Sequence, residues 1–139
     1  ERLLESKTVI NKILQNPIAG YGFGVSFSRY FYLPQIYVDY SYVHNGYLAA
    51  WYKLGLLGLV TLLWYCWRIL KTSYIIYKQN LNPATNIIFL TIFSSLMAML
   101  LVNNTSPQFL SFDSMLVLGL MGATCAIYHE KHISPQLKK

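Results

Sequence analysis

His44 stands where an imidazole could do chemistry. It is followed by Asn45 and Gly46 and then by a long apolar run, which puts it at the mouth of a helix. An ordinary histidine pKa near 6.5 lets the ring take a proton close to neutral pH. A single histidine at such a boundary also serves as a plain interfacial polar residue. Arg29 is the one cation between residues 25 and 43, and Asp39 the one anion. A guanidinium forks onto phosphate oxygens, so Arg29, with Arg2 as a second choice, is the expected anion contact. Asn45 is a good N-cap residue. Lys53 follows His44 by nine residues, about 13 Å along a helix. Its ammonium can anchor at an interface, pair with Asp113, or meet a substrate.

Ahead of these residues runs Asn16-Pro17-Ile18-Ala19-Gly20-Tyr21-Gly22-Phe23-Gly24. Glycines at alternate positions cannot make a stable helix interior. Such a loop either brings backbone N–H groups up to an anion or simply reverses the chain. Its spacing is not the dinucleotide fingerprint. Phe27, Tyr30, Phe31, Tyr32, Tyr37, Tyr40 and Tyr42 follow. These rings suit either an interfacial belt or stacking on sugars. Residues 1–15 read as a short amphipathic helix lying on the membrane or on the rest of the protein, with Leu3, Ile10, Ile13 and Leu14 at roughly helical spacing. Lys7, Lys12, Glu1 and Glu5 form its solvated side, and Asn16-Pro17 stops it.

The frame that must hold these groups is a membrane frame. Of 139 residues, 55% are hydrophobic and 12% charged, against about 25% charged in ordinary soluble domains. The apolar residues gather at 46–69, 84–102 and 109–128. Each block reaches the roughly 20 residues that a transmembrane helix needs. The expected organisation is an outward loop segment at 1–45, a first span at 46–69 and a connector at 70–83. A second span at 84–102, an outer loop at 103–108, a third span at 109–128 and a tail at 129–139 complete it. Arg68, Lys71 and Lys78 in the connector and Lys131, Lys138 and Lys139 in the tail place both in the cytoplasm. The net charge of +6 then reads as topology and attraction to anionic lipid, with no nucleic acid required. The fold class is an all-α membrane protein of three transmembrane helices, with a largely helical or irregular outward segment. The opening Glu1, within an apparent helix, suggests a fragment of a larger helical bundle. Cys66 and Cys125 read as reduced packing residues. The Asn103 and Asn104 matches to the N-glycosylation pattern read as chance. No acidic cluster or Asp-x-Asp pattern occurs, so no divalent metal is expected.

Three pieces in order resemble one family. They are Asn16-Pro17-Ile18-Ala19-Gly20-Tyr21-Gly22, the His44-Asn45 step with Leu48, and Leu54-Gly55-Leu56-Leu57-Gly58-Leu59. Over residues 1–75 the chain resembles the C-terminal part of the O-antigen ligase and O-antigen polymerase superfamily. These are multi-span membrane glycosyltransferases of the bacterial inner membrane. Between Gly24 and Val43 nothing aligns. The resemblance implies a glycan donor carried on a polyprenyl pyrophosphate and an acceptor hydroxyl on a glycan or lipid A core. With no divalent metal expected from the residues, the transfer is expected to be metal-independent and to need no cofactor. His44 would be the base or an acceptor-orienting group, and Arg29 a phosphate contact. Arg2, Asn45, Tyr47, Lys53, Gly20 and Gly22 would contact substrate. A transporter segment or a non-catalytic membrane scaffold is the alternative. The apolar middles of the spans, with polar residues at one rim, fit a surface site better than a transport path.

Overall fold

The computed structural model describes residues 2–31, 36–79 and 82–132, with backbone alone at 29–31 and 132. Among the described residues there are four α-helices, α1 (Arg2–Gln15), α2 (Gly46–Lys78), α3 (Pro83–Val102) and α4 (Phe112–His132). There are also two strands, β1 (Phe27–Phe31) and β2 (Ile36–Tyr40), and a 3-10 turn at Gln108–Leu110. The chain divides into two compact units, residues 1–62 with 102–111, and residues 63–101 with 112–139.

The first unit is built on α1, the β-hairpin and the start of α2. Proline disfavours a helical residue before it, so α1 ends at Gln15, just ahead of Asn16-Pro17. The helix buries Glu5, Val9 and Ile13, a single stripe of i, i+4 spacing. That overturns one expectation, the solvated Glu5. Leu3 and Leu14 are exposed, at 86% and 68%, and Ile10 is exposed as well. Glu5, expected in the solvated face, is 1% exposed. Of Leu3, Ile10, Ile13 and Leu14, only Ile13 is buried. The stripe packs with Phe27, Val43, Ala49 and Tyr52 into one cluster.

Within the aromatic stretch, Phe27–Phe31 and Ile36–Tyr40 are strands. β1 and β2 pair antiparallel, with Phe27 opposite Tyr40 and Phe31 opposite Ile36. Aromatic and β-branched residues favour such pleated, half-buried surfaces. Phe27 is buried while Tyr37 faces outward. Tyr32 lies outside the described residues, and the side chains of Tyr30 and Phe31 lie outside the described side chains.

α2 is broken. Gly55 holds φ 73° and ψ 179°, a conformation closed to most residues with a Cβ. Carbonyls before the break lose their helical donors. The glycine loop supplies replacements: Tyr21 N–H donates to Tyr52 O at 2.9 Å and Gly22 N–H to Lys53 O at 2.9 Å. In return, Pro17 O accepts from Leu56 N–H at 2.9 Å and from the Trp51 indole at 3.0 Å. Gly20 (φ 70°) and Gly55 approach so closely that a Cβ on either would strike the other segment's backbone.

In the second unit, α2 continues to Lys78, past the expected end of its span at residue 69. Asn82 caps α3 through its side-chain oxygen, which accepts from Thr85 N–H at 2.8 Å. Pro83 takes the first helical position, where its missing N–H is harmless. α4 starts at Phe112, three residues after the expected 109, and runs to His132. Phe89, Ile92, Leu96, Leu118 and Cys125 are buried. Ser73 Oγ lies 3.3 Å from Cys125 Sγ, and both cysteines are free and buried. Ile87, Leu101, Leu116, Leu120 and Ile127 face outward. Three of the helices are long and apolar enough to cross a membrane. An outer surface of this kind is costly in water and favourable in lipid. Lys138 and Lys139 lie outside the described residues.

Candidate active site

The site begins with α1 delivering a carboxylate to the start of α2. Glu5 Oε1 accepts the backbone N–H of His44 at 2.8 Å, and Oε2 lies 2.8 Å from His44 Nδ1. One buried carboxylate thus holds both the main chain and the ring of the same histidine. An ionised carboxylate can only accept, so Nδ1 carries the proton and donates it. The neutral ring then presents Nε2 as a lone pair. The His44 side chain is 35% exposed, enough for a substrate hydroxyl to reach it. The Tyr42 ring stands edge-on to the imidazole, with centroids 5.0 Å apart. Val43 is buried in the core cluster, so the chain entering the site is anchored on both sides of Glu5's contact.

Asn45 is the N-cap of α2. Its Oδ1 accepts from the N–H groups of Tyr47 and Leu48, both at 3.0 Å, which satisfies donors that a helix start leaves open. Gly46 N–H donates to Asn103 O at 2.7 Å. A Cβ at residue 46 would run into the Asn103 side chain. Asn103 is 0% exposed, and its Oδ1 accepts from Phe109 N–H at 3.3 Å. Tyr47 packs edge-on against Phe109, with centroids 6.2 Å apart.

The remaining candidates take separate places. Arg29 sits on β1 opposite Val38, and its side chain lies outside the described side chains. Arg2 opens α1, three residues ahead of Glu5, with its side chain exposed. Gly20 and Gly22 belong to the loop docked on α2, and the N–H of Gly22 is occupied by Lys53 O. Lys53 lines a cavity of about 220 Å³ together with Ser41, Tyr42, Ser106, Gln108 and Ser111. The residue that sequence reasoning missed is Glu5. Its signal was the Glu5, Val9, Ile13 spacing, hidden by the equally periodic Leu3, Ile10 and Leu14. A larger cavity, about 390 Å³, belongs to the second unit and contains none of the candidate site residues. Among the described residues no three His, Cys, Asp or Glu side chains gather into a metal site.

These features define a class: a membrane protein whose polar site is assembled at one end of a broken, membrane-length helix. Residues 1–63 match the family model of the O-antigen ligases. The match contains α1, the glycine loop, the hairpin, His44 and the Gly55 break. No curated protein and no solved structure gives a significant match to the chain.

Proposed function

We propose that the protein transfers a glycan from a polyprenyl-pyrophosphate donor to a sugar hydroxyl, on a growing polysaccharide or on lipid A core. An acceptor oxygen attacks the anomeric carbon. The bond from that carbon to the pyrophosphate oxygen breaks, and its electron pair leaves with the pyrophosphate. The acceptor proton passes to His44 Nε2. Glu5 holds the ring by Nδ1–H and stabilises the imidazolium as it forms. Arg29 and Arg2 are the candidate contacts for the departing phosphates. Residues 1–45 lie outside the cytoplasm, and the Lys/Arg-rich end of α2 and the tail lie inside it.

The observation that carries this reading is the Glu5–His44 pair, found within the segment that matches the O-antigen ligase family. It supplies a base oriented for proton transfer, which a membrane anchor has no use for. The test is complementation of a host deleted for the gene, comparing wild type with His44→Ala at matched membrane levels, with surface polysaccharide resolved on a gel. Wild type restores a glycan ladder and His44→Ala does not. A ladder restored in full by His44→Ala removes the base from the mechanism. In the deletion, core carrying a single repeat marks a polymerase; unattached lipid-linked polymer marks a ligase.

A further inference from the structure

Beside Tyr42 and Val43 the first unit holds a cavity with a polar lining and one cationic side chain. It measures about 220 Å³ and lies among the end of the hairpin, the start of α2 and the 106–111 segment. Ser41, Tyr42, Ser106, Gln108 and Ser111 line it, with Gln108 Nε2 donating to Ser106 Oγ at 3.0 Å and Ser111 Oγ to Gln108 O at 2.9 Å, and Val43, Ala49 and Leu110 add apolar surface. Among the described lining residues only Lys53 is charged. Lys53 forms no ion pair or hydrogen bond through its ammonium among the described residues. The described acids of this unit are both engaged elsewhere. Glu5 holds His44, and Asp39 accepts from Ser28 Oγ at 2.7 Å. A half-buried lysine lining a polar cavity, with no counter-ion among the described residues of this unit, leaves a charge for a ligand to match.

The mix of groups names the ligand's chemistry. Hydroxyls and an amide suit a polyhydroxylated ring. The apolar patch suits the ring's C–H face, and the volume suits one pyranose. A single ammonium suits a single negative charge, whereas a pyrophosphate would call for several cations. Tyr42 is shared between the cavity and the catalytic histidine. Its hydroxyl lies 3.5 Å from Ser106 Oγ, and its ring edge meets the imidazole. A ring bound here would therefore sit next to the proposed base.

We propose that this cavity is a subsite for a carboxylate-bearing sugar, a hexuronic acid residue of the glycan, with Lys53 pairing with the carboxylate. The inference rests on the glycan-transfer reading, but its test does not use transfer. The protein in zwitterionic nanodiscs is titrated with methyl β-glucuronide, methyl β-glucoside and inorganic pyrophosphate, and binding is followed by saturation-transfer NMR. The glucuronide binds about tenfold more tightly than the glucoside, as expected for one charge-assisted contact. Lys53→Gln, at an unchanged melting temperature, brings the two to equal affinity, and Lys53→Arg keeps the preference. Equal binding by wild type, no binding of either glycoside, or a preference that survives Lys53→Gln overturns the subsite. Displacement of the glucuronide by a lower concentration of pyrophosphate overturns the carboxylate assignment. Wild type that restores no glycan ladder in the deleted host would sink the transfer reading and leave this binding result standing.

Discussion

Replacing Glu5 with Gln changes one atom of the side chain and tests how His44 is held. In the native protein the carboxylate oxygens accept from the His44 N–H and from Nδ1–H, both at 2.8 Å. An amide has one accepting oxygen. If that oxygen stays on the backbone N–H, the amide NH₂ faces Nδ1, which must then accept. The ring proton moves to Nε2, and the lone pair aimed at substrate is lost. A base in the wrong tautomer gives up the whole of its contribution, so transfer falls about 10²–10⁴-fold. The stability effect is smaller. Charged hydrogen bonds contribute about 1.5–3 kcal/mol each and neutral ones about 0.5–1.5, so Glu5→Gln costs about 1–3 kcal/mol in all. Glu5→Ala strands the His44 N–H and loses further stability, about 1–3 kcal/mol for the unpaired amide alone. The assay is the glycan ladder per folded protein, with the folded fraction taken from thermal unfolding in detergent. A Glu5→Gln protein that builds the ladder at the wild-type rate would refute the tautomer argument, whatever its melting temperature.

Two further perturbations probe the scaffold. Gly55→Ala forces a Cβ into a positive-φ position and against the Ile18 carbonyl; thermal unfolding should show a loss of at least about 2 kcal/mol from strain and the displaced loop. A wild-type melting temperature would mean that the loop is not docked on the break. Asn45→Ala removes the cap of α2 and should cost about 1 kcal/mol, while Asn45→Ser restores most of it. If Asn45→Ser is stable yet loses the ladder, Asn45 also touches substrate.

The sequence by itself determined the solvent this chain folds in. Low charge and three apolar blocks leave few arrangements other than helices in lipid, because a spanning backbone must satisfy its own hydrogen bonds. It also placed His44 at a helix mouth, since Asn45-Gly46 before an apolar run is a local signal that needs no partner. The helix stop at Asn16-Pro17 was legible for the same reason. Element identity failed where two patterns competed. The aromatic stretch read as a belt sooner than as a sugar platform, and only strand pairing between residues 27–31 and 36–40 made it a hairpin.

What the tertiary structure alone decided was the meaning of the glycines and of Glu5. The runs Gly20-Tyr21-Gly22 and Leu54-Gly55-Leu56 lie more than 30 residues apart and look like separate motifs. They form one joint, in which backbone meets backbone and a loop's N–H groups take over carbonyls that a helix break releases. No local pattern encodes that exchange, because each half is unsatisfied until the other arrives. Glu5 is the sharper case. On α1 alone it belongs to either of two periodic stripes. The choice falls to the stripe that can bury Val9 and Ile13 against Phe27 and Tyr52, and that choice carries the carboxylate to His44. Hydrophobic burial set the rotation of the helix, and the rotation set the candidate base.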